Sequence, residues 1–99
     1  MSDIPKSYKI RQVRAFLDIL TNSNLNQYTF SSIHNTLTLM FETIKEIDLD
    51  SLRVDQVCSL LDVLIKVDFN HHSFVSIQNI LMLIDEILET IEIKAEVRM

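Results

Sequence analysis

Glycine and tryptophan are absent from this 99-residue chain, and proline and cysteine appear once each, at Pro5 and Cys58. Each absence closes a class of structure. The lack of glycine argues against the glycine-dependent types of tight turn and against the glycine-rich loops that cradle phosphate. With one cysteine there is no internal disulfide, so nothing in the chain asks for an oxidising compartment. The lone proline precedes every candidate helix and breaks none of them. No stretch reaches the roughly 18 uncharged apolar residues of a membrane span, and the opening MSDIPKSYKI lacks the apolar core of a secretion signal. The expectation is a single soluble domain over residues 1–99, cytoplasmic and without a membrane partner.

What is present is a sequence that repeats itself. Residues 7–49 align without a gap on residues 51–93 at a constant offset of 44, with 15 identities in 43 positions, among them Gln12/Gln56, Leu17/Leu61, Asp18/Asp62, Phe30/Phe74, Asn35/Asn79, Leu37/Leu81 and Glu42/Glu86. Self-similarity at such a period marks a supersecondary unit that buries its apolar face against its own copy.

Within the first unit Ile10, Val13, Phe16, Leu17 and Leu20 recur at helical spacing, predicting a helix near 8–21; Phe30, Ile33, Leu37, Met40, Ile44 and Ile47 predict another near 30–47. The second unit predicts helices near 52–66 and 74–92. Thr29 and Ser73 occupy N-cap positions, and Ser7 and Ser51 can serve likewise. The asparagines of TNSNLNQY, tolerant of left-handed backbone, replace glycine as helix stops. Short connections make each unit a helical hairpin and set the hairpins side by side. The expected fold is therefore all-α: a four-helix antiparallel bundle made of two duplicated hairpins about a pseudo-twofold. A stack of two solenoid repeats is the lesser alternative, because it leaves both ends uncovered.

The net charge of −5 is unevenly distributed, with Lys6, Lys9, Arg11 and Arg14 on the first helix and Asp85, Glu86, Glu89 and Glu92 on the last. The reading preferred here is a charge-complementary pair of helices inside one bundle. Four basic residues on one short segment do not make the basic track that nucleic acid requires.

Chemistry-bearing constellations are scarce. His71 and His72 share a turn with Asp68, but the first unit makes the same turn with Asn26, Gln27 and Tyr28. The turn therefore works without ligands, and no metal is expected there. Cys58 has no histidine nearby in sequence to activate it. The repeated carboxylate pairs Asp18/Asp62 and Glu42/Glu86 lack the Glu-x-x-His sequences of helical di-metal sites. Asn35 and Asn79, held inside helices against their propensity, suggest either a hydrogen bond across the pseudo-twofold or common ancestry. The chain is expected to be no enzyme and to need no cofactor.

The differences between the copies run mostly one way, with Phe41 to Asp85 the only large change in the other direction. Arg14, Thr21, Ser23, Ser31, Thr36, Thr38 and Thr43 become Cys58, Ile65, Val67, Val75, Ile80, Met82 and Ile87. Cys58 with Ile65, and Val75 with Met82, form apolar stripes off the core line, the latter beside Glu86 and Glu89; Ile80 and Ile87 flank the core. Apolar stripes rimmed by charge are what a docking surface looks like. Cys58, Ile65, Val75, Met82, Glu86 and Glu89, with Phe41 as a separate anchor, are the expected partner-binding residues. The expected function is binding of another protein, as an inhibitor, an immunity- or antitoxin-type protein or an adaptor. An obligate structural homodimer, the stripe pairing with a second copy, is the alternative.

Overall fold

A computed structural model describes residues 6–47, 52–68 and 72–97, the last four for their backbone only. It is an all-α four-helix bundle: α1 spans Lys6–Asn22, α2 Phe30–Glu46, α3 Leu52–Lys66 and α4 Phe74–Val97. Helix α1 packs most extensively on α4 and α2 on α3, while α1·α2 and α3·α4 are the looser seams. Exchanging the two halves maps each close seam onto the other and each loose seam onto the other. Early α1 meets late α4 through Arg11 and Glu92, and late α1 meets early α4 through Leu20 and Gln78, so this pair is antiparallel.

Helix starts follow local chemistry. The Thr29 hydroxyl accepts from the Ser32 amide at 3.0 Å, and Ser73 does the same for Ser76 at 3.1 Å, each satisfying an orphan donor of the first turn. Ser7 does not cap, because α1 already begins at Lys6 and Ser7 is buried within it. Ser51 lies outside the described residues. The turn after α1 departs from the sequence expectation. No described residue has positive φ; instead Asn24 caps a short 3-10 turn, Leu25–Gln27, by accepting from the Asn26 amide. That turn lowers Leu25, its one apolar residue, into the core.

Nineteen buried apolar residues form one cluster, and eighteen fall into nine matched pairs across the halves: Ile10/Val54, Val13/Val57, Leu17/Leu61, Leu20/Leu64, Ile33/Ile77, Leu37/Leu81, Met40/Ile84, Ile44/Leu88 and Ile47/Ile91. The nineteenth is Leu25, whose match, Phe69, lies outside the described residues. Phe16 and Phe30, expected in the core stripe, are instead exposed. Asn35 and Asn79 are exposed, and neither takes part in a hydrogen bond across the expected pseudo-twofold among the described residues. Among the described residues no buried side-chain nitrogen or oxygen lacks a hydrogen-bond partner, and no helix is long and apolar enough to cross a membrane.

Candidate interaction surface

The four helices leave three kinds of surface: two close seams, two loose seams and the outward helix faces. At the α1·α4 seam the basic and acidic helices meet as their composition implies. Arg14 donates from Nε to Asp85 at 2.9 Å, from Nη1 to Glu92 at 3.0 Å and from Nη2 to Glu89 at 3.2 Å. Glu92 is buried at 8% exposure and takes a second bond, from Arg11 Nε at 3.1 Å, so both its oxygens are occupied. The hydrogen bond to Asp85 is the largest influence raising the Arg14 pKa above its ordinary value, against an opposing desolvation. Removing one partner is costly chiefly at Glu92, the one buried carboxylate, while Asp85 and Glu89 stay partly in water. Below the cluster the Gln78 amide donates to the carbonyls of Leu20, Thr21 and Ser23, holding the end of α1, where the carbonyls have no intrahelical partner.

The α2·α3 seam handles the matched positions differently. Where one half has Arg14 and Asp85, the other has Cys58 and Phe41, both half-buried against the core. Lys45, matched to Glu89, places its ammonium 5.4 Å from the centre of the Phe41 ring and lies near enough to Cys58 to act on the thiol. Burial pushes the thiol up, with Asp55 adding and Lys45 opposing. A raised thiol pKa and apolar surroundings give a poor nucleophile.

The expected partner-binding residues are thereby divided between two sides of the molecule. Cys58, Ile65 and Phe41 pack against the core, together with Val67, Ile80 and Ile87. Five of the seven polar-to-apolar exchanges thus thicken the interior of the second half. Thr21, Thr36 and Thr43, their half-buried counterparts in the first half, satisfy their hydroxyls on carbonyls one turn back at 2.8 Å, which is how the other half tolerates polar residues there. Val75 and Met82 stand apart: they are 66% and 50% exposed on the outward face of α4. Glu86 is exposed beside them, and Glu89, also exposed, is engaged with Arg14.

Leu83 and Ile93 add two more exposed apolar side chains to α4. A second apolar feature, which the differences between the copies do not flag, is a shallow groove over the loose α1·α2 seam. Phe16 is shared by its two concavities, with Ile19, Tyr28 and Ser32 towards one end and Gln12, Leu39 and Thr43 towards the other. The α3·α4 seam carries the matched groove, lined by Gln56, Leu60, Leu83 and Ile87. Its signal in the sequence is apolar character kept in both units off the core line, as at Leu39/Leu83. At the second turn His72 is exposed, while His71 lies outside the described residues. Among the described residues no group of three or more histidine, cysteine or carboxylate side chains is placed to hold a metal ion.

No protein-family model, curated protein sequence or solved structure matches this chain.

Proposed function

We propose that this protein is a non-enzymatic, cytoplasmic protein-binding module whose working surface is the outward face of α4. One contrast carries the reading. Val75 and Met82 are exposed apolar side chains at positions where the first half holds Ser31 and Thr38. The bundle therefore needs no apolar group there, and large apolar side chains kept in water without a packing reason mark a contact surface. A small acidic domain suits an inhibitor or an adaptor, which contributes a surface and no chemistry.

The test grafts the first half onto the second. Affinity capture from the source cells, with the bound protein identified by mass spectrometry, is compared for the natural chain and the Val75→Ser/Met82→Thr variant. The natural chain retains a stoichiometric partner and the variant loses it. Equal capture by both overturns the assignment to α4.

A second reading, an obligate structural homodimer, draws on the exposed pairs Ile19/Val63 and Leu39/Leu83, which put apolar groups on the outside of both hairpins. The mass in solution decides between them. A monomer at micromolar concentration removes the homodimer.

A further inference from the structure

The outward face of α4 is patterned as well as apolar. Val75, Met82 and Glu89 recur seven residues apart, and Asn79, Glu86 and Ile93 do the same four residues on. These two interleaved rows form one heptad track along the helix, of the spacing by which one α-helix seats another. Val75, Met82 and Ile93 are exposed, as are Asn79, Glu86 and Glu89. The matched track on α2 reads Ser31, Asn35, Thr38, Glu42 and Lys45 over its first five positions. There an ordinary solvated face carries charges of both signs; on α4 the polar Ser and Thr have become apolar and the lysine has become Glu89.

Charge decides the occupant. No lysine or arginine occurs between Lys66 and Lys94, so α4 offers a partner carboxylates and no cation along the whole track. The neighbouring Arg14 pairs with Asp85, Glu89 and Glu92, and Arg11 with Glu92, so among the described residues Glu86 is an outward carboxylate of the track that forms no salt bridge. An acidic partner helix would meet like charge here, and a purely apolar one would strand Glu86 in a dry contact. Resting on the protein-binding reading above, we propose that the occupant is a basic amphipathic helix of another protein: apolar residues at heptad spacing against Val75, Met82 and Ile93, and lysine or arginine opposite Glu86. Asn79, midway along the track, fixes its register, as a single buried amide does in coiled coils.

The probe is a pair of fluorescein-labelled synthetic helical peptides of about three heptads, with leucine on the seam opposite Val75, Met82 and Ile93 and either lysine or glutamate at the seam position opposite Glu86 and at the flanking positions. Fluorescence anisotropy at low and at physiological salt follows binding to the full chain. The lysine peptide is expected to bind at least about tenfold more tightly than the glutamate peptide, the scale of coupling found for close interfacial charge pairs, and to weaken as salt rises. Glu86→Lys reverses the order of the two peptides. Val75→Ser/Met82→Thr weakens both, and circular dichroism confirms that each variant is folded.

Equal binding of the two peptides overturns the inference. So does lysine-peptide binding that ignores the Val75→Ser/Met82→Thr exchange, which would be adhesion to an acidic protein in general, or loss of binding on Leu39→Asp instead, which would place the contact in the α1·α2 groove. A chain that dimerises and excludes both peptides names a second copy as occupant and overturns it too. Failure here with extract capture still sensitive to Val75→Ser/Met82→Thr rejects the basic helix alone; loss of that sensitivity rejects the protein-binding reading with it.

Discussion

Arg14 Nε and Asp85 Oδ1 stand 2.9 Å apart at the heart of the α1·α4 seam, and the same two positions of the α2·α3 seam are filled by Cys58 and Phe41. A charged pair on one side of the bundle is replaced by an apolar pair on the other, with both members exchanged together. Arg14→Cys alone leaves Asp85 and Glu89 without their cation and is expected to cost about 1–3 kcal/mol, less than a fully buried pair because Asp85 and Glu89 are partly in water, whereas Arg14→Cys with Asp85→Phe and Glu89→Lys copies the other seam and recovers most of that loss. Urea unfolding of the single and triple variants measures the coupling. Additive losses would show that the two seams are unrelated.

Leu37 and Leu81 are matched and each is 0% exposed. Truncation of either to alanine is expected to cost about 2–5 kcal/mol, and the two losses should agree to within about 1 kcal/mol because the surrounding core is matched as well. Chemical denaturation of the two variants checks this.

Gln78 ties three carbonyls at the end of α1 to α4, a contact the other half does not share because His34 stands at the matched position. Gln78→Ala is expected to lose about 1–3 kcal/mol, the cost of leaving partly buried acceptors unsatisfied. Hydrogen exchange should localise the added opening to the last turn of α1. Uniform loosening of the bundle would show that Gln78 is no local anchor.

The Cys58 thiol is held above its ordinary value chiefly by burial. A neutral thiol favoured by the fold contributes stability that is fully present below the ordinary pKa near 9.0 and lost as pH rises through and beyond it. Alkylation by iodoacetamide at pH 8 should run well below the rate of a free cysteine and recover fully in denaturant. Rapid reaction in the folded state would show that the α2·α3 seam is open.

Helix positions, helix number and the core were legible in the sequence because periodicity reports burial directly: nine matched pairs recur at helical spacing and all eighteen residues are buried. Residues at the margin of a stripe were not. Phe16 and Phe30 fit the period and yet stand exposed, since an aromatic at the edge of an apolar arc is covered only if a neighbouring helix closes over it, and α1·α2 is a loose seam. The same ambiguity divided the expected interface. Cys58 and Val75 both sit off the core line of their helices, but the side on which Cys58 sits is the one α2 covers, while Val75 is left 66% exposed among the described residues. Which side is covered depends on the order of helices around the bundle, and periodicity within one helix carries no information about that order. The attraction of α1 for α4 was legible from composition; that Arg14 gathers three carboxylates and that Gln78 spans to the α1 terminus required the antiparallel register of the two helices.

The claim most in need of a direct test is that the apolar track on α4 serves no purpose in folding. Thermal and urea unfolding of the Val75→Ser/Met82→Thr variant answers it in one experiment. Both side chains are at least half exposed, and the first half folds with Ser31 and Thr38 at the same positions. Stability is therefore expected to stay within about 0.5 kcal/mol of the natural chain, the range of surface substitutions away from caps and cores. A loss beyond about 2 kcal/mol, the range of core truncations, would put Val75 and Met82 inside the fold and leave the proposed surface without its reason to exist.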